Sequence, residues 1–428
     1  MSDAPPKFIT ENGVRKLNPE FKKWKATQGG ADGAAPPPPV APQMKNDMTS
    51  LPVVCNMQDF AQLGAGAQMD AKFQKAQEAY AATAQAVGSD MDQLGQVFAK
   101  YEIPMGLLGR LQMVETYACM EILCDDSGSM GSSTDSKHPT GRPMTRWEEA
   151  KKNISVMFEL LAYINCPPMH IRFLNRPDDV VIQRNPGENP QQFLQRVHGI
   201  LDQTFARGPS GTTPYKERGS ESLARYPGQK VIRYWFSDGV PNGGEEAVEA
   251  IKKMVKNRPN PQQNPLILVA CTNDDSQVEW MSDVEECAKY CSASDDFGDE
   301  STEVLKDQGE AFPYSYGLWL LCLIIGAADE VLDAMDESSP LALASMSEIA
   351  GYQLSPQDYD YYLNKFFEAQ KRKPHPQSNE DKLKAEYAKK FEGIRDQFHK
   401  APIAGAIPLV QEYRKKMMEA SSSGCVIA

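Results

Sequence analysis

No stretch of this 428-residue chain is long and apolar enough to cross a bilayer. The longest apolar run, 317–328, is 12 residues, against the roughly 20 that a spanning helix needs, so a buried helix is expected there. A basic excess is missing too. The formal charge is −13, with 45 Lys+Arg against 58 Asp+Glu, which argues against a nucleic-acid surface and against general attraction to anionic lipid. There is no G-x-x-x-x-G-K-[ST] phosphate loop, and Ser127-Gly128-Ser129-Met130-Gly131 lacks the left-hand Gly of a nucleophile elbow. The five histidines are dispersed, with only His170 in a strand-like segment. Without a convergent base or nucleophile, an enzyme is not expected. Nine cysteines are scattered singly, and Cys287 and Cys291 have no His or second Cys pair beside them. Zinc is therefore not expected, and reduced thiols in a cytosolic protein are. Met1-Ser2-Asp3-Ala4-Pro5-Pro6 has neither the basic start nor the apolar core of a secretory leader, and no Gly for myristoylation. The expected location is cytoplasmic, or peripheral on the cytoplasmic face of a membrane.

What is present centres on Asp125-Asp126-Ser127-Gly128-Ser129, at the end of the mostly apolar run Tyr117 to Cys124. A strand alternates its side chains between two faces, but the chain turns where the strand stops. Asp125, Ser127 and Ser129 can then point into one pocket, and oxygen-only ligands suit a hard cation. Downstream, Gly211-Thr212-Thr213-Pro214 offers a loop hydroxyl. Ser237-Asp238-Gly239 offers a second carboxylate after the buried-looking strand Ile232 to Phe236.

In these residues the chain resembles the von Willebrand factor A domain and its metal-ion-dependent adhesion site, written D-x-S-x-S, then a Thr, then an Asp before Gly. The family's usual Gly-Gly-Thr-Pro reads Gly-Thr-Thr-Pro here, and the spacing to Pro214 favours Thr213 over Thr212. The resemblance covers about residues 115 to 337. It implies a metal set of Asp125, Ser127, Ser129, Thr213 and Asp238 holding Mg²⁺, or Mn²⁺ or Ca²⁺ in its place. It also implies a protein partner that supplies an acidic residue as the last ligand. Two carboxylates roughly cancel a divalent charge, and the hydroxyls add none, so such an ion keeps appetite for one more anionic oxygen.

The alternation of strands and helices predicts an α/β fold. A doubly wound, mostly parallel sheet with helices on both faces is expected, Rossmann-like, with ligands at the carboxyl ends of its strands and flanking helical segments outside it. Residues 1–60, with the run Pro36 to Pro39, read as a largely irregular, disordered segment. Residues 61–114 read as a helical lead-in, 115–337 as the adhesion-type domain, and 338–428 as a helical C-terminal region. Within the central domain, a loop is expected over Ser132 to Met144, then a helix whose start is marked by Thr145 and Glu148 as a reciprocal cap. An amphipathic helix is expected from Tyr316 to Asp333, and the acidic run from Asp295 to Glu300 reads as a solvated loop. The stripe Leu383, Tyr387, Phe391, Ile394 and Phe398 is expected to pack on the chain's own domain.

The tail Cys425-Val426-Ile427-Ala428 matches C-a-a-X, with terminal Ala favouring farnesyl, which makes Cys425 the expected lipidation site. One lipid chain binds membranes weakly. The expected protein is thus a metal-dependent interaction module, a cytosolic adaptor reversibly tethered by a prenyl group. A structural scaffold or assembly subunit working beside an ATPase, its metal only stabilising, is the alternative.

Overall fold

Short runs of alternating large apolar residues dictate the centre of this molecule. The computed structural model describes residues 8–11, 14–17 and 91–423, save 139, 273, 375 and 377. The chain divides into units Met1–Val53 and Val54–Ala428. In the first, β1 (Phe8–Glu11) and β2 (Val14–Leu17) form an antiparallel hairpin inside the segment expected to be largely irregular.

In the second unit, α1 (Met91–Lys100) and α2 (Leu108–Leu111) lead into β3 (Cys119–Cys124). Next come β4 (Ser133–Lys137), β5 (Pro143–Thr145), α3 (Arg146–Leu161), β6 (Met169–Phe173), β7 (Asp179–Ile182) and α4 (Pro190–Ala206). The run continues with α5 (Tyr215–Ala224), β8 (Val231–Ser237), α6 (Gly244–Lys256), β9 (Leu266–Ala270), α7 (Asp275–Cys287) and β10 (Cys291–Ser294). Helices α8 (Phe297–Gln308), α9 (Tyr316–Ile325) and α10 (Glu330–Asp333) follow. The C-terminal helices are α11 (Leu343–Ala350), α12 (Pro356–Arg372), α13 (Asn379–Glu392), α14 (Arg395–Lys400) and α15 (Pro408–Ser423).

The sheet runs β10-β9-β8-β3-β6-β7 and is parallel except for β7, which pairs antiparallel with β6. The link from Phe173 to Asp179 is far shorter than the dozen or so residues a parallel crossover needs, so the chain must reverse there. Alternation along each strand feeds two cores. Ile122, Cys124, Ile171, Tyr234, Phe236 and Val269 join one with α3, α4 and α9, while Leu123, Trp235 and Leu268 join the other with α5, α6 and α7. The protein is therefore an α/β, Rossmann-like sheet with helices on both faces, which fits the fold the family resemblance implies. From the adjacent strands β3 and β8 the chain leaves to opposite faces, through α3 and α6. That divergence makes their carboxyl ends the topological switch point, where ligands bind in such sheets.

Three expectations need correction. Residues 132–144 are not a plain loop, because β4 and β5 pair antiparallel there. The helix that starts at Tyr316 stops at Ile325, gives way to a 3-10 turn at Gly326–Ala328 and is not amphipathic, since Leu318, Leu320, Leu321 and Leu323 are all fully buried. Asp296, expected in a solvated loop, caps α8 by accepting from the Gly298 and Asp299 amides. The helices beyond residue 337 share the first core, with Tyr387, Phe391 and Phe398 buried in it and Leu383 and Ile394 packed against it. Among the described residues no helix is long and apolar enough to cross a membrane.

Candidate metal centre

Strand register sets the site. Cys124 pairs with Phe236 across β3 and β8, and the Asp125 amide donates to the Phe236 carbonyl at 2.8 Å. The two residues that follow those strands, Asp125 and Asp238, therefore emerge side by side. Tyr215, fully buried at the start of α5, pins this edge by donating from its hydroxyl to the Phe236 carbonyl at 2.5 Å.

The turn after β3 does what strand alternation cannot. Ser127 has extended backbone and opens the 3-10 turn Gly128–Gly131. Its amide donates to Asp125 Oδ1 at 2.8 Å, and its hydroxyl lies 2.9 Å from that of Ser129. Ser129 in turn donates to Asp238 Oδ1 at 2.8 Å. The second oxygen of Asp125 accepts from Ser237 Oγ at 2.9 Å, and the second oxygen of Asp238 accepts from Arg146 Nη1 at 2.8 Å. Asp125, Ser127, Ser129 and Asp238 thus form one connected set of oxygens. Asp125, Ser127 and Asp238 are buried and Ser129 is exposed, so the set is open to solvent on one side.

Thr213 stands in the neighbouring loop, which is tied to the turn by two backbone bonds, Gly128 N to Gly211 O and Ser210 N to Asp126 O. Its amide donates to Asn242 Oδ1 at 3.1 Å and its carbonyl accepts from the Asn242 and Tyr215 amides. Among the described residues no hydrogen bond joins its hydroxyl to the oxygen set. Thr212 is turned elsewhere, its Oγ1 accepting from Asn242 Nδ2. Gly211 is required at the head of this loop. Its φ is +118°, and an added Cβ would come within 2.5 Å of the Asn175 side chain, which itself bonds Asp126 and the Thr212 carbonyl.

Sequence reasoning missed Ser237, Asn175, Asn242 and above all Arg146. The capping box gives the only hint of the last. Thr145 Oγ1 accepts from the Glu148 amide and Glu148 Oε2 from the Thr145 amide, which fixes Arg146 as the first residue of α3, facing Asp238.

The donors are all oxygen, two of them from carboxylates, which fits a hard cation such as Mg²⁺, Mn²⁺ or Ca²⁺ better than zinc. Elsewhere Asp295, Asp296 and Asp299 bring carboxylate oxygens within 4.8 Å of one another, but there the cap of α8 already uses Asp296. Burial pushes the Asp125 carboxyl up to about 6, with the charge of Asp238 adding to the rise and hydrogen bonds from Ser127 and Ser237 opposing it. The folded pKa therefore lies above the unfolded one. The folded state binds this proton more tightly than the unfolded chain does, and a cation held by Asp125 would have to displace it. Divalent affinity is expected to be about tenfold weaker at pH 5 than at pH 7, read by calorimetric titration. Affinity that stays flat over that interval would remove Asp125 from the ligand set.

No family model matches the chain, and no curated protein matches it. Among solved structures it is similar to the PilB minor pilin from Streptococcus sanguinis, at 11% identity over 51% of this chain and 62% of that one, with a TM-score of 0.33. An aspartate-to-alanine mutant of that pilin gives 11%, 52%, 63% and 0.34. The conserved hypothetical protein BatB from Bacteroides thetaiotaomicron gives 15% identity over 36% of this chain and 66% of that one, with a TM-score of 0.22. The chain spans less than two thirds of each of these. Scores this low lend nothing to the functional reading.

Proposed function

We propose that this protein is a metal-dependent protein-interaction module of the von Willebrand factor A type. A divalent cation, Mg²⁺ first, is held by Asp125, Ser127, Ser129 and Asp238 with Thr213 beside them, and takes its last oxygen from an acidic side chain of a partner protein. The supporting observation is the continuous oxygen set from Asp125 to Asp238 at adjacent strand ends, buried at its base and open at Ser129. A cation seated on two carboxylates and neutral hydroxyls retains attraction for an anion approaching from that open side.

The proposal extends to the tail. Cys425 lies outside the described residues, and a prenyl group there would make the protein an adaptor in exchange between cytosol and membrane. One experiment addresses both parts: full-length protein from its native cells is used in a pull-down with Mg²⁺ and with chelator, read by mass spectrometry, together with its intact mass. Partners recovered only with the cation support the module. The same partners in chelator point to a scaffold or assembly subunit in which the metal only stabilises. A tail mass without a lipid removes the tether.

A further inference from the structure

Asp238 is fully buried, yet it already has a cation. Its Oδ2 accepts from Arg146 Nη1 at 2.8 Å, while its Oδ1 takes the Ser129 hydroxyl. Arg146 comes from a different element, α3, and its side chain is 18% exposed. Among the described residues the guanidinium makes its one protein hydrogen bond to Asp238, so four of its five N–H donors are uncommitted within the protein. A second arginine nearby shows the contrast. Arg176 lies 3.3 Å from Asp126, stacks 3.7 Å from the Phe173 ring centroid, donates to the Thr204 carbonyl and has a side chain only 6% exposed. It is locked by packing on several sides. Arg146 is held by one bond and has solvent to move into.

We infer that Arg146 is the built-in counter-ion of the metal-free site and that a divalent cation takes Asp238 by displacing it. The inference rests on the metal-site reading above and adds the residue that regulates it. Two carboxylates carry a charge that a divalent ion balances. With the guanidinium on Oδ2 of Asp238 only one negative charge remains uncompensated, and a cation arriving on the Oδ1 side of the same carboxylate is repelled by it. Departure of Arg146 into solvent relieves that repulsion, and the cost of breaking the Arg146–Asp238 pair is subtracted from metal affinity. In the absence of metal the same pair compensates the buried charge of Asp238, which would otherwise stand uncovered at a strand end. The arginine thereby sets the cation concentration at which the site fills.

The test uses the full-length chain and Mn²⁺ alone, titrated calorimetrically into wild type, Arg146→Met, Arg146→Lys and Asp238→Asn. Arg146→Met keeps the apolar stem without the charge and is expected to bind Mn²⁺ at least about tenfold more tightly than wild type. Arg146→Lys, which keeps a point charge, is expected to lie near wild type. Melting with and without Mn²⁺ gives a second reading: Arg146→Met should melt lower than wild type in chelator and gain more from the ion. Equal or weaker Mn²⁺ binding by Arg146→Met, with its fold intact, overturns the exchange and leaves the metal site standing. Wild type and Arg146→Met that both fail to bind Mn²⁺ overturn the metal site itself.

Discussion

Replacing Glu121 by alanine is expected to destabilise the protein by about 3–5 kcal/mol, the cost of leaving buried charges without their partner. Glu121 sits in the middle of β3, 1% exposed. Its Oε1 accepts from Arg172 Nη1 at 2.6 Å and lies 3.3 Å from Arg225 Nε, and its Oε2 accepts from Arg233 Nε at 3.0 Å and Ser222 Oγ at 2.9 Å. Arg233, directly opposite in register on β8, is fully buried. Burial pulls its guanidinium below the usual value and Glu121 works against that pull. Neutral acceptors on Asn264, Ser222 and Arg225 would remain after the substitution, but no charge would. Replacing Glu121 and Arg233 together by methionine should recover part of the loss, because an apolar pair of similar volume avoids desolvating either ion. Chemical denaturation measures both. A loss below about 1 kcal/mol for the single variant would mean that solvent reaches this network and screens it.

Asp125→Asn is expected to weaken divalent binding at the proposed site by about a hundredfold or more, since it removes one of the two carboxylates from the oxygen set. Its effect on the metal-free fold should be the opposite of the usual one for a buried side chain. With its folded carboxyl pushed up to about 6, Asp125 is held ionised at neutral pH against its environment, at a cost of order 2–3 kcal/mol. The amide keeps the shape and removes that cost, while giving up one of the acceptor positions now used by Ser127 and Ser237. The metal-free variant is therefore expected to be at least as stable as wild type at pH 7 and to show less gain from Mg²⁺. Calorimetric titration and melting in chelator separate the two effects. A metal-free variant more than about 1 kcal/mol less stable than wild type would show that the carboxylate serves the fold and not a ligand.

Much of the centre is legible in the sequence because local periodicity and strand ends carry it. The short apolar runs around Ile122, Ile171, Tyr234 and Leu268 can be satisfied only by strands buried on both faces, and helical spacing between them forces parallel connections. A motif placed at the end of such a strand needs no tertiary information to be seen as convergent. For this reason Asp125, Ser127 and Ser129 fall together from their spacing in one turn, the family resemblance adds Asp238, and the structure joins the four by hydrogen bonds. Thr213 shows the limit of that reasoning. Its loop follows from Gly211 and Pro214, but the path of that loop is held by Asn242, which accepts from the Thr213 amide, and by Asn175, which accepts from the Thr212 amide, residues that no motif marks.

The amino-acid sequence by itself determined the α/β class, the strand ends and the oxygen-rich turn, because these follow from alternation, turn chemistry and the order of elements along the chain. Only the tertiary structure decided the charges around them. Glu121 lies within an apolar run and Arg233 within another, and nothing local says that they face each other at the sheet centre. Register across β3 and β8 puts them there, and desolvation then makes the pairing obligatory. In the same way Arg146 reads as an ordinary first residue of a capped helix, until the fold brings the start of α3 to the carboxyl end of β8 and its guanidinium onto Asp238. Electrostatic partners are set by proximity in space, and for residues 92 positions apart the fold alone supplies it.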